Sequence, residues 1–285
     1  MLKSCFARFF VLLSLLTPAA ALAHHGVASL GVAGMEGPGA PLETSSSATL
    51  PRNDFLVWVK LDYADFERYT PWEDDESTHN SYWIFGLGYG IRSWLSAYVF
   101  LPYNIKKVED GSSNSSGLAD MSLMGVLGFK YDEGFRLTPE DESLDDLEDW
   151  HFTFYGGLTI PTGDPNVRTD SNEIDPGMSL GFGKPAFMAG LTATRPFTER
   201  FTWVGETSYI HFLEYEYDDG NRTRFGTEVR ANTAFTCRLL TVPRWKLRLD
   251  AQLEANYLWL GRDETWIGLS SSLKRRIRRS GTCRR

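Results

Sequence analysis

The chain has 285 residues, a formal net charge of -8 and 42% hydrophobic residues, enough apolar material for one large domain. Residues 24–273 are more acidic still, with 37 acids against 20 bases, so the body repels phosphate backbones and no nucleic-acid partner is expected. No segment approaches eighteen uninterrupted apolar residues, which excludes spanning a membrane by helices.

Lys3 and Arg8 precede the apolar run Phe9 to Leu16, and Ala21, Leu22 and Ala23 make a small-x-small cleavage site. Residues 1–23 therefore read as a secretory signal peptide, and Cys5 lies too near its start to become a lipid-bearing first residue. Cys237 and Cys283 remain after cleavage, one in a strand pattern and one in the tail, so a structural disulfide is not expected. Cleavage after Ala23 leaves His24 and His25 at the new terminus. A terminal α-amine and imidazole suit Cu(II), although adjacent histidines at such a position are more often simply exposed. No cofactor is expected. Residues 24–53, rich in Gly, Ala, Pro and Ser without period, read as a flexible arm.

Nine alternating segments follow over residues 54–261. The first sets Phe55, Val57, Val59, Leu61 and Tyr63 against Lys60 and Asp62. The second sets Trp83, Phe85, Leu87 and Tyr89 against Gly86 and Gly88, and the third keeps Leu95, Ala97, Val99 and Leu101 in step. The fourth runs from Gly117 to Tyr131, the fifth from Trp150 to Ile160, the sixth from Phe187 to Thr194 and the seventh from Phe201 to Phe212. The eighth alternates Phe225, Val229, Ala231 and Phe235 with Arg224, Glu228, Arg230 and Asn232. The ninth, from Lys246 to Tyr257, alternates strictly over twelve residues.

Strands of ten or more residues with one apolar and one ionic face are what cross a bilayer in a barrel. The predicted fold is an all-β, antiparallel, up-and-down transmembrane β-barrel. A soluble lipocalin-like barrel would carry the same alternation inverted, with apolar residues inside. Short connections (90–93, 196–200, 240–244) alternate with long polar ones (65–80, 103–117, 162–183, 213–223), the asymmetry of outer-membrane barrels. Segment 132–149 is the exception, long and acidic where a short turn is expected, and reads as a solvated turn in preference to a calcium loop. Trp58, Trp83, Trp94, Trp150, Trp203, Tyr209, Tyr257 and Trp259 sit near strand ends, as rings at two membrane interfaces would.

The ionic faces nominate a lumen set of Glu206, Glu228, Arg230, Arg248, Asp250, Gln252, Glu254 and Asn256. Arg230 with Asp250, or Arg248 with Glu228, could pair across neighbouring strands. Such residues either fill and rigidify a small barrel or line a selective passage. Catalysis is not expected: Ser208 and His211 are three apart on one strand and so point to opposite faces, and no G-x-S-x-G occurs.

Past Gly261 the period stops, and residues 262–285 form an off-pattern basic tail containing Lys274, Arg275, Arg276, Arg278, Arg279, Arg284 and Arg285. Nine strands is odd where single-chain bacterial barrels are even, so the expectation is an altered gene end and a barrel incomplete at its C-terminus.

Residues 158–165 read Leu-Thr-Ile-Pro-Thr-Gly-Asp-Pro and residues 117–123 read Gly-Leu-Ala-Asp-Met-Ser-Leu. With the strand pattern over roughly 53–260, the chain resembles the bacterial outer-membrane transporter family of the meta pathway of phenol degradation. The resemblance implies an outer-membrane barrel passing small hydrophobic or aromatic molecules, with membrane lipid and the barrel assembly machinery as partners. The alternatives are a non-transporting structural outer-membrane protein, or a periplasmic metal- or ligand-binding barrel using His24 and His25. The Pro161, Thr162, Gly163, Asp164 step reads as a strand terminator, because Pro161 ends the ladder and Gly163 permits a bend.

Overall fold

A computed structural model describes residues 44, 45, 47–66, 78–108, 114–140, 149–170, 172–198, 200–242, 244, 247–267 and 275–278. The signal segment, His24, His25, Cys5, Cys283 and residues 141–148 of the acidic segment lie outside the described residues. In chain order the strands are β1 (Phe55–Phe66), β2 (Thr78–Arg92), β3 (Leu95–Val108), β4 (Asn114–Leu118), β5 (Met121–Tyr131), β6 (Phe135–Leu137), β7 (Trp150–Ile160) and β8 (Ala186–Thr198). They continue with β9 (Phe201–Phe212), β10 (Tyr215–Glu216), β11 (Arg222–Arg224), β12 (Glu228–Val242), β13 (Leu247–Leu260), β14 (Glu264–Ile267) and β15 (Arg275–Arg278).

The main sheet runs β1-β2-β3-β5-β7-β8-β9-β12-β13, with β4 added to β3 and β6 to β5. Every neighbour is antiparallel. The nine long strands are the nine alternating segments, joined in chain order as hairpins require. No pairing joins β1 to β13 among the described residues. Three boundaries differ from expectation. The fourth segment breaks at Ala119 and Asp120 into β4 and β5, Phe225 leaves the eighth strand to pack with Phe182 and Phe212, and the tail supplies β14 and β15. Those two join β10 and β11 in a second, four-stranded sheet beyond the long-connection end. The basic tail therefore enters a sheet despite losing its period.

The alternation is apolar outward. Phe55, Val57, Val59, Leu61 and Tyr63 on β1 are exposed, as are Phe187 and Leu191 on β8 and Leu249, Tyr257 and Trp259 on β13. The residues between them on β8, Met188, Thr192 and Thr194, are buried. A lipocalin-like orientation is thereby contradicted. From Phe55 to Tyr63 the outer face of β1 carries no charge. Eight steps at about 3.3 Å give about 26 Å along the strand, or about 20 Å of height at a barrel's tilt, most of its apolar band of roughly 25 Å.

Aromatic rings mark two levels on this outer face. Trp83 lies opposite both Leu61 and Tyr103 at the long-connection end, and Val229 lies opposite both Tyr209 and Trp259 at the same end. At the other end Trp150 packs against Trp203 and Phe152, and Phe135 bridges Tyr131 and Phe152. Rings at two fixed depths are the arrangement membrane interfaces favour. Trp58 departs from the expected belt. It faces inward, edge-on to Tyr98 and Phe100.

The inner face holds an apolar cluster of Ile84, Tyr98, Phe100, Met124, Val126, Tyr155 and Met188, with Leu56, Trp58 and Ile210 packed against it. These residues come from β1, β2, β3, β5, β7, β8 and β9, so the sheet must curve to bring them together. Glycines make the curvature possible: a Cβ on Gly86 would overlap the Trp58 ring, and one on Gly190 would overlap Tyr155. Large rings can thus lie flat on a neighbouring strand's backbone.

Candidate functional site

Two arrangements stand out, an ionic network on the inner face and a clasp at the long-connection end. In the first, Glu206 on β9 is a hub. Tyr155 donates its hydroxyl to Glu206 Oε1 at 2.6 Å, while Asn232 Nδ2 (3.3 Å) and the backbone N–H of Ser45 (2.9 Å) donate to Oε2. On β12, Arg230 Nη2 contacts Glu228 Oε2 at 3.0 Å, and Glu228 is buried. Arg238 Nε contacts Asp250 Oδ1 at 3.4 Å across β12 and β13.

The expected pairs therefore do not form. Arg230 lies opposite Leu258, Asp250 opposite Arg238, Glu228 opposite Leu260 and Arg248 opposite Thr241. Register decides this, and a register shift between Arg238 and Leu240 offsets the strands near the short turn. Arg230 pairs instead with Glu228 two positions along its own strand, on the same face. Arg238 continues the even-numbered inner face of β12 in unbroken register, and the sequence reading missed it because it followed that alternation only as far as Phe235. Gln252, Glu254 and Asn256 share the inner face of β13 with Asp250, and Gln252 donates to Glu254. Gln252 and Asn256 are exposed, since β13 has no described neighbour on its far side. Ser208 and His211 do point to opposite faces: His211 stacks on Tyr209, which is on the outer face.

The clasp joins the two sequence motifs. Asp120 lies between β4 and β5, and its carboxylate accepts from Gly163 N (Oδ1, 2.9 Å) and Phe182 N (Oδ2, 2.8 Å). Burial pushes the Asp120 carboxyl up, and the backbone donors of Phe182, Gly163 and Thr162 oppose that shift. Thr162 adds a second link, donating to Ala119 O at 2.8 Å and accepting from Met121 N at 2.9 Å. Asp164 starts the loop by accepting from Asn166 N with its carboxylate and from Leu180 N with its backbone carbonyl, both at 2.8 Å. Pro161 ends β7 one residue after Ile160.

Gly163 is needed because a Cβ would lie 2.6 Å from Leu180 O, and a Cβ on Gly181 would overlap the Asp120 carboxylate. Farther along, Lys106 Nζ on the inner face of β3 donates to Gly177 O (2.9 Å) and Ser179 O (2.6 Å), and Ser115 Oγ donates to Met178 O (2.6 Å). The connection between β7 and β8 is thus folded inward and fixed to β3 and β4. The sequence showed both motifs but not that they touch. Residues Asp120 and Gly163 are 43 positions apart, and nothing local in either strand reports the other.

Among the described residues no group of three or more His, Cys, Asp or Glu is placed to hold a metal ion. The His24–His25 candidate lies outside the described residues.

A family model described as "Putative MetA-pathway of phenol degradation" matches residues 70–258. No curated relative matches the chain. Among solved structures, the fold is similar to the crystal structure of an outer membrane channel from Pseudomonas putida F1, with a TM-score of 0.52 and 12% identity, over 81% of this chain and 91% of that one. The family match takes in both motifs of the clasp and the strands from β2 to most of β13, and the chain belongs to this phenol-degradation family.

Proposed function

We propose that the chain is an outer-membrane β-barrel that passes small solutes passively, with hydrophobic or aromatic molecules as the favoured class. The observation that carries this reading is the two-faced wall, apolar outside and hydrogen-bonded or ionic inside, on nine strands whose connections differ in length at the two ends. Lipid accepts such an outer face, and a wet lumen accepts Glu206, Glu228, Arg230, Asp250, Gln252, Glu254 and Asn256. Tyr98, Phe100, Met124 and Met188, in the cluster whose Tyr155 bonds Glu206, are buried together with Ala48 and Leu50, and would offer a solute apolar contact where Ala48 and Leu50 move aside. The family description, with its reference to phenol degradation, and the channel named for the structural neighbour support the same direction. Arg248 is proposed for the same lining from its place in the register of β13.

Flux into proteoliposomes provides the test. Small neutral aromatics are expected to enter faster than into empty vesicles, and faster than sugars of similar size. No flux above the empty-vesicle rate, with the barrel folded in the membrane, overturns the transport reading and leaves a structural outer-membrane protein.

A further inference from the structure

Register lines up one row of inner-face side chains across five strands. Thr153 on β7 lies opposite Thr192 on β8, Thr192 opposite Glu206 on β9, Glu206 opposite Asn232 on β12, and Asn232 opposite Asn256 on β13. Every member can hydrogen-bond, and neighbours in the row do: the Thr153 and Thr192 hydroxyls touch at 2.5 Å, and Asn232 donates to Glu206. The row sits at mid-depth. On β9 it falls halfway between Trp203 and Tyr209, which belong to the two aromatic levels of the wall.

Glu206 is the charged member of this row, and its described donors, Tyr155 Oη, Asn232 Nδ2 and Ser45 N, are uncharged. Neutral donors orient a carboxylate without cancelling its charge. The ion pairs lie in other rows. Arg230 contacts Glu228 toward the long connections, Arg238 contacts Asp250 toward the short turns, and Lys130 and Arg195 share Asp149 at the short-turn end. Those at the short-turn end stand near a mouth, where salt screens them within about 10 Å. Glu254, opposite Ala234 in the next row, adds a second acid close to mid-depth.

A fixed charge at this depth acts on every ion that crosses, because lipid behind the wall focuses its field into the lumen. One carboxylate about 6 Å away changes the local concentration of a monovalent ion by about threefold even in fully aqueous surroundings, up for a cation and down for an anion. We propose that Glu206 is the charge-selecting residue of the passage, favouring small cations over anions. The inference rests on the channel reading above.

Its test is the reversal potential of the full chain in planar bilayers across a potassium chloride gradient, beside Glu206→Gln and Asn256→Lys, with folding of each checked by heat-modifiable mobility. Glu206→Gln removes the charge and keeps an oxygen for Tyr155. Asn256→Lys sets a counter-charge at the exposed end of the row, two strands from Glu206. The full chain is expected to pass potassium at least about threefold more readily than chloride, and each substitution to bring that ratio toward one. An unchanged ratio in folded Glu206→Gln overturns the proposal and leaves the channel standing. Should that variant fail to fold, an unchanged ratio in Asn256→Lys overturns it equally. A full chain that passes chloride as readily as potassium also overturns it, whereas no current from the full chain overturns the channel reading itself.

Discussion

Asp120→Ala is expected to lower the stability of the folded barrel by about 3–5 kcal/mol, since it strips a buried charged acceptor from at least two backbone N–H groups. Gly163 N and Phe182 N would be left without the carboxylate that now holds them at 2.9 and 2.8 Å, and Gly163 is packed too closely on Leu180 for water to substitute freely there. The loss should appear as a lower urea midpoint in detergent micelles or vesicles. It should also appear as faster proteolysis within residues 164–182, because the clasp fixes both ends of that connection. Asp120→Asn should lose less, as the amide oxygen can still serve one of the two donors. A midpoint unchanged in Asp120→Ala would mean that the Thr162 links and the Lys106 contacts suffice, and that the two motifs are not a mechanical unit.

The second large effect is one of side. Leu191 points outward from the middle of β8, opposite Phe154 and Thr207, and is 53% exposed. In a bilayer that exposure is to lipid, so Leu191→Arg should cost about 2–4 kcal/mol of unfolding free energy in phospholipid vesicles. Gln252→Arg, on the inner face of β13, should cost well under half as much, because its new charge meets water and the carboxylate of Glu254. In a soluble barrel both positions would face water and the two substitutions would be nearly equivalent.

The nine long strands are legible in the sequence because a membrane wall imposes the simplest of patterns: each one-residue slip would expose an entire ionic set to lipid. From Lys246 to Tyr257 no residue breaks the rule, and β13 accordingly runs from Leu247 to Leu260. What the pattern does not carry is anything that depends on two distant segments meeting. The ion pairs show this. Alternation placed Arg230 and Asp250 on the inner face, but only the register, which sets Arg230 opposite Leu258 and Asp250 opposite Arg238, keeps the two apart and gives Asp250 its partner.

Of the expected arm, Thr44, Ser45 and residues 47–50 are described and buried on the inner face, with Ser45 N on Glu206 and Ser47 on Thr192 and Thr194. A segment buried against hydroxyls and a carboxylate has the composition of a solvated linker, since both environments ask for Ser and Thr. One signal was available. The glycines of the arm stop at Gly39, and residues 44–50 contain neither glycine nor charge, although exposed linkers usually keep one or the other. Trp58 misled through its residue type. Rings suit interfaces, but Gly86 opposite it on β2 leaves a flat inner site for the indole, and that pairing is visible only once the register is known.

The account stands on one physical claim, that the apolar face of each strand meets lipid and the ionic face meets water. Single cysteines placed one at a time from Leu249 to Asn256, in a chain whose native cysteines are replaced by serine, test it when the folded protein is labelled in vesicles with a membrane-impermeant maleimide. Labelling is expected to alternate, strong at Asp250, Gln252, Glu254 and Asn256 and weak at Leu249, Ala251, Leu253 and Ala255. Labelling of both sets alike, or of the apolar set alone, would contradict a membrane barrel with a wet interior.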